Sequence, residues 1–138
     1  MRTLPLLASL ALLGACAAPV PAPDPHKAWV AMQSEPGELL MAEMVGRERV
    51  SDGRYFQLQP GAQRLRASYR FEVIAGGSFE QGGSVHMLCN FRLDWDGFAA
   101  GQRYQVQAQH WQFQPEAWLL DASGQRLVEA HDWSCMQE

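Results

Sequence analysis

The sequence has little lysine, few cysteines and no block of like charges. Lys27 is the only lysine among 11 basic residues, and the formal net charge of the 138-residue chain is −4. Binding of nucleic acid depends on basic side chains clustered on one face, and the arginines here are scattered, so we predict no nucleic-acid partner. The longest apolar run lies near the N-terminus and is too short to cross a bilayer about 30 Å thick.

Motifs typical of catalysis are also missing. No serine lies in a G-x-S-x-G pattern and no two cysteines lie in a CxxC pattern. Two alternatives remain: a metal site built from His110, His131 and Asp132, and a glycosidase-type acid–base pair. The pair would be either Asp94 with Glu72 or Asp121 with Glu129. Their spacing does not require these residues to meet. We therefore predict a protein that is not an enzyme and uses no cofactor or metal, with a small periplasmic hydrolase as the least favoured alternative.

The first sixteen residues have the layout of a secretory leader. Arg2 supplies a positive charge, residues 4–13 form a short apolar stretch, and residues 13–16 read Leu-Gly-Ala-Cys. This tetrapeptide resembles the lipobox of bacterial lipoproteins, in which the cysteine becomes the mature N-terminus and carries acyl chains. The resemblance implies a signal peptide over residues 1–15 and lipidation of Cys16. An ordinary signal peptide with a cysteine at its cleavage site is the alternative.

Residues 16–27 join the leader to the rest of the chain and have proline at positions 19, 21, 23 and 25. Alternating proline blocks helix and sheet, so we predict an extended tether. In lipoproteins, a residue other than aspartate after the lipidated cysteine implies delivery to the outer membrane, and Ala17 occupies that position. We therefore expect a protein held by its lipid anchor in the outer membrane, on the periplasmic face rather than the cell surface.

If Cys16 is lipidated, Cys89 and Cys135 are the remaining cysteines of a chain exported to an oxidising compartment. Only one intramolecular pairing is open to them. We predict a Cys89–Cys135 disulfide, which closes a loop of 47 residues. Two buried free thiols and a metal-binding pair are the alternatives.

Residues 28–138 are predicted to form one all-β domain, because apolar and polar side chains alternate from residue 50 onward. The clearest apolar series are Leu65, Ala67, Tyr69, Phe71 and Val73, then Val85, Met87, Cys89, Phe91 and Leu93, and then Tyr104, Val106 and Ala108. Turn residues separate these runs at 59–61, 75–77, 81–83 and 96–97, and residues 121–124 indicate a terminal hairpin. Residues 38–45 favour helix by propensity, and we assign them to a strand. The predicted architecture is a single antiparallel β-sandwich of about six to eight strands.

Several phrases of this region resemble a known group. They are DGRYF at 52–56, LQPG at 58–61, the alternating strand that follows, and FAAGQRY at 98–104. Over residues 38–130 the chain is similar to small bacterial envelope lipoproteins with a β-sandwich of the PEGA or carboxypeptidase-regulatory type. Gln63 stands where the pattern has histidine, so no role of that histidine carries over. The resemblance implies a sandwich fold and an envelope location but little chemistry.

Five tryptophans are many for a domain of this size, and two of them fit the alternation poorly. Trp118 lies in a strand that is apolar on both sides, and Trp111 is out of phase with Tyr104, Val106 and Ala108. Both are either core residues or parts of a flat binding surface for sugar rings or protein. We predict a non-enzymatic outer-membrane lipoprotein that binds or braces another envelope component. The alternative is a carbohydrate- or peptidoglycan-binding module that uses Trp111 and Trp118.

Overall fold

The computed structural model describes residues 20–74, 76 and 82–138, and within them it contains ten strands and no helix. The strands are β1 (Ala28–Gln33), β2 (Leu39–Val45), β3 (Glu48–Arg49), β4 (Tyr55–Leu58), β5 (Gly61–Ile74), β6 (Ser84–Phe98), β7 (Arg103–Trp111), β8 (Gln114–Leu120), β9 (Arg126–Glu129) and β10 (His131–Gln137). The all-β prediction is confirmed, and residues 38–45 contain a strand. The described part of the chain has no helix long and apolar enough to cross a membrane.

The strands form two five-stranded sheets. Sheet A has the order β4-β1-β7-β8-β9, and sheet B has the order β10-β6-β5-β2-β3. Neighbouring strands are antiparallel except β1 and β7, which are parallel. Ten strands exceed the predicted six to eight because strands such as β3, with two residues, are too short to show alternation. A period of two also does not distinguish a parallel partner from an antiparallel one.

The sandwich has two ends, between which all long strands run. The proximal end, where the N-terminal segment enters, contains the β6–β7 turn at 99–102 and the β8–β9 turn at 121–124. The distal end contains the β1–β2 connection at 34–38, the β7–β8 hairpin tip at 112–113 and the end of β10. Strand β7 has nine residues at about 3.3 Å each, so the two ends lie roughly 30 Å apart.

The space between the sheets is filled by alternate side chains of the long strands, as the alternation predicts. The inner residues of β5 are almost fully buried, whereas the outer ones are half-buried or exposed. Sheet A contributes Val30, Val106 and Leu119, which have no exposed surface. The described residues include no buried charged side chain, so the sheets are held together mainly by apolar burial. Each large buried side chain contributes roughly 1.5–3 kcal/mol.

The predicted terminal hairpin is present as β8 and β9. The carboxylate of Asp121 accepts hydrogen bonds from the backbone N–H groups of Ser123 and Gln125, which closes the turn. The hydrogen bond from the Ser123 side chain, followed by that from the Gln125 backbone, lowers the pKa of Asp121. All four residues 117–120 are buried, which explains why β8 lacks alternation.

The turn predicted at residues 96–97 is wrong, because β6 continues to Phe98. Glycine at position 97 instead lets the Trp95 ring pack close to the backbone. A Cβ atom at this position would lie 3.0 Å from Cζ2 of the Trp95 ring. The chain turns later, after Phe98. There the Tyr104 hydroxyl accepts a hydrogen bond from the Ala99 N–H and donates one to the Gly97 carbonyl.

The predicted disulfide is confirmed. Cys89 of β6 and Cys135 of β10 lie directly opposite each other and are bonded. Cys89 is completely buried, whereas Cys135 is exposed. The bridge ties β10, an edge strand of sheet B, to the strand beside it.

The end of the predicted tether is bound to the domain. The Asp24 N–H donates a hydrogen bond to the side-chain oxygen of Gln57, and the Lys27 carbonyl accepts one from the Gly101 N–H. The chain therefore has a defined entry point at the proximal end, beside β4.

Candidate functional site

The distal end is built around the tip of the β7–β8 hairpin. Gln112 has φ of +52°, a conformation that few residues other than glycine adopt. Its carbonyl oxygen lies 2.8 Å from Nδ1 of His110, a contact that ties the turn to the strand before it. Trp111 and Phe113, on either side of Gln112, are 76% and 47% exposed. The hairpin therefore presents two aromatic side chains on a restrained turn.

Beneath this tip, a chain of polar contacts joins the two sheets. His110 Nε2 of sheet A lies 3.1 Å from Glu38 Oε1, and the Tyr69 hydroxyl of sheet B donates a 2.6 Å hydrogen bond to Glu38 Oε2. The His110 ring also stacks on Phe71, with ring centroids 4.2 Å apart. We call Glu38, His110 and Tyr69 the distal clasp.

The clasp constrains where its protons lie. A backbone carbonyl can only accept, so Nδ1 of His110 carries a proton toward Gln112. Burial, and next the bond to Glu38, raise the pKa of Tyr69 well above its usual range, so its hydroxyl remains a donor. The two carboxyl oxygens of Glu38 are therefore each held by a side chain of a different sheet, His110 of sheet A and Tyr69 of sheet B.

We expect the distal clasp to contribute measurably to stability. Replacing His110 with alanine removes the contact to Glu38 and the packing on Phe71, and should lower the free energy of unfolding by about 2–3 kcal/mol. His86 is exposed on β6, and His86→Ala is the matched control, with an expected change within about 0.5 kcal/mol. Urea unfolding followed by tryptophan fluorescence measures both. If His110→Ala lowered the free energy of unfolding no more than His86→Ala does, the clasp would not contribute to stability.

The exposed large apolar side chains of the domain gather at its distal end. Among the described residues, such side chains occur only there and at Val20 of the N-terminal segment. The five that we call the distal apolar group are between 44% and 83% exposed: Leu39, Ile74, Trp111, Phe113 and Met136. Isolated exposed apolar residues are common on proteins, but five at the distal end, against Val20 alone elsewhere in the described chain, indicate a polarised molecule.

The two tryptophans predicted as a binding surface lie on the same face but differ in accessibility. Trp111 and Trp118 both point outward from sheet A, four residues apart along the β7–β8 ladder, or about 13 Å. Trp118 is only 8% exposed, because the Arg126 guanidinium lies 3.7 Å from its ring centroid. Of the pair, Trp111 alone offers an open ring.

An aromatic–arginine ladder crosses the proximal half of sheet A and was not predicted from the sequence. Trp29 and Tyr55 stack with centroids 5.5 Å apart and planes within 7°. The Arg103 guanidinium lies 5.8 Å from the ring centroid of Trp29, and the Arg54 guanidinium lies 5.5 Å from that of Tyr55. The only signal in the sequence was the presence of these aromatic residues near arginines, because their pairing depends on β1 lying between β4 and β7.

The residues considered for a metal site do not come together. His110 belongs to the distal clasp, whereas His131 on β10 contacts Asp94 at 2.9 Å and Asp132 at 3.4 Å. Arg64 also binds Asp94 at 2.7 Å, and this bond is the main cause of the lowered pKa of Asp94. The described part of the chain contains no group of three or more His, Cys, Asp or Glu residues that could hold a metal ion.

The acid–base pair considered for glycoside hydrolysis is also separated. Asp94 lies opposite Arg64, and Glu72 lies eight residues further along β5, opposite His86. This places the two carboxylates about 26 Å apart, whereas glycosidases hold theirs within about 10 Å. The remaining predicted site residue, Cys16, lies outside the described residues.

Comparison of the chain with protein-family models, with curated proteins and with solved structures found no match.

Proposed function

We propose that this protein is a non-enzymatic lipoprotein of the outer membrane, anchored through Cys16, whose domain binds another envelope protein at its distal end. The observation that carries the proposal is the polarity of the sandwich. The N-terminal segment enters at the proximal end, and the distal apolar group lies at the opposite end. A domain tethered at one end is well suited to hold a partner at the other.

The chemistry of the distal end indicates what kind of partner would fit. The apolar group is interspersed with exposed acids, namely Glu35, Glu72, Glu116 and Glu138. Arg70 is the basic residue close by, and it is paired with Glu138 at 3.1 Å. We infer a partner that presents an apolar surface bordered by basic side chains. Trp111 is the expected centre of the contact, since exposed tryptophan is enriched among residues that dominate binding energy.

A second candidate, binding of peptidoglycan strands, is favoured by one observation. Gln105, Gln107 and Gln109 point outward from β7 in line with Trp111. Amide side chains can hydrogen-bond sugar hydroxyls, and an exposed indole ring can stack on a sugar. We rank it second because Trp118, the other ring on this line, is covered by Arg126.

Site-specific photocrosslinking in intact cells tests the proposal. A benzophenone side chain at position 113 should give a discrete protein adduct, and the same probe at exposed Ala122 of the proximal end should not. Trp111→Ser in the same chain should reduce adduct formation about 30-fold, as expected for loss of a central interface residue worth about 2 kcal/mol.

Three results would contradict the proposed partner. Equal labelling from positions 113 and 122, or an adduct that survives Trp111→Ser, would show that the distal end is not the contact surface. An adduct that disappears when the sacculus is digested with a cell-wall hydrolase would instead identify peptidoglycan as the ligand.

A further inference from the structure

The proximal end contains a cleft that neither the anchor nor the distal contact accounts for. Its volume is about 840 Å³, and it opens between β4 of sheet A and the β2–β3 hairpin of sheet B. Lys27, Arg47 and Arg49 line it. Within the ranges that the structure describes, none of these three side chains forms an ion pair.

Two acids also line the cleft, and one of them is already neutralised. Asp52 binds Arg54 at 3.0 Å, and the hydrogen bond from Arg54 lowers the pKa of Asp52 to about 2. Glu48 is the other. The lining therefore carries a net positive charge, although the whole chain has a net charge of −4.

The position of the cleft relative to the lipidated residue is limited by chain length alone. Pro21 lines the cleft, and it lies five residue steps after Cys16 in the chain. Five residues span at most about 18 Å, whatever their conformation. A bilayer that holds the acyl chains of Cys16 is therefore close to this cleft, within the Debye length of about 30 Å over which an anionic surface acts at low salt.

We propose that this cleft binds the phosphate groups of anionic phospholipids in the leaflet that holds the anchor. The proposal rests on the lipid anchor of the proposed function. The guanidinium groups of Arg47 and Arg49 have the planar geometry that binds phosphate in a bidentate manner. Trp29 and Tyr55 line the same cleft, and tryptophan and tyrosine are typical of surfaces at the headgroup level of a membrane. Docking would orient the domain so that its distal end faces away from the membrane.

Hydrogen exchange of the acylated, full mature protein on vesicles tests this docking. On vesicles that contain phosphatidylglycerol, at low salt, amides of residues 45–52 should exchange about fivefold more slowly than on phosphatidylcholine vesicles. This factor corresponds to one basic side chain at an anionic surface. The R47Q/R49Q double variant should lose the protection. Arg66→Gln is the matched control and should retain the protection. Arg66 is an exposed arginine of sheet B without an ion pair to any described residue.

The outcomes separate the cleft from the anchor. Pelleting with phosphatidylcholine vesicles at high salt reports the anchor, and the exchange difference at residues 45–52 reports the cleft. Pelleting without an exchange difference would overturn the cleft proposal and leave the anchor standing. If the protein fails to pellet with phosphatidylcholine but pellets with phosphatidylglycerol at low salt, the anchor fails, and only the affinity of the cleft for anionic headgroups stands. Protection produced equally by inorganic phosphate without vesicles would assign the cleft to a free anion and overturn membrane docking.

Discussion

Substitution of Cys16 should move the protein almost entirely from the membrane pellet to the soluble periplasmic fraction. The substituted chain is best exported behind an ordinary cleavable leader, with Cys16→Ser at the mature N-terminus, so that no uncleaved apolar segment remains. The expected loss is large because each buried acyl methylene contributes about 0.8 kcal/mol to membrane attachment, and two or more chains make it durable.

The natural chain, carried through the same fractionation, is the control and should stay in the pellet. If the basic cleft binds anionic lipid, a small fraction of the Cys16→Ser protein should still pellet with anionic membranes. A high-salt wash should remove this fraction. Retention of most of the substituted protein after that wash would contradict the lipid anchor.

Loss of the disulfide should give the largest change in the stability of the domain. Cys135→Ala opens a 47-residue loop, for which the chain-entropy model gives up to about 4 kcal/mol, so we expect the free energy of unfolding to fall by about 2–4 kcal/mol. Cys135 is exposed, so its truncation removes little packing. Cys89→Ala should cost more, because Cys89 is completely buried and its truncation adds a cavity.

Met136→Ala is the matched control for this effect, since Met136 is an exposed neighbour on the same strand and its loss should change stability by less than about 0.5 kcal/mol. Urea unfolding of the natural chain with and without reductant provides an independent estimate. A Cys135→Ala variant as stable as Met136→Ala would show that the bridge does not constrain the unfolded chain.

The sequence predicted the parts of the fold that depend on local alternation. β5 and β6 are long, and one face of each is buried, so their inner residues could be identified from a period of two. The bonded cysteines were predicted from their number and from the expected export to an oxidising compartment. The Asp-Gly pair at 96–97 led to a wrong turn prediction, because Gly97 makes room for the Trp95 ring and does not form a turn.

Only part of the distal site could be predicted from the sequence. Trp111 was singled out because it breaks the alternation, and it is the most exposed aromatic residue of the described chain. The distal clasp was not foreseen, because Glu38, Tyr69 and His110 come from three separate segments, joined only when the sheets pack. Trp118 gave no sign in the sequence that Arg126, eight residues later, covers its ring.

Intact-mass analysis of the N-terminal peptide of the native protein tests the account most directly. The peptide is expected to begin at Cys16 and to carry the mass of its fatty-acyl groups. A native chain that begins at Met1, or at any other residue without an acyl group, would remove the tether on which the orientation of the two ends depends.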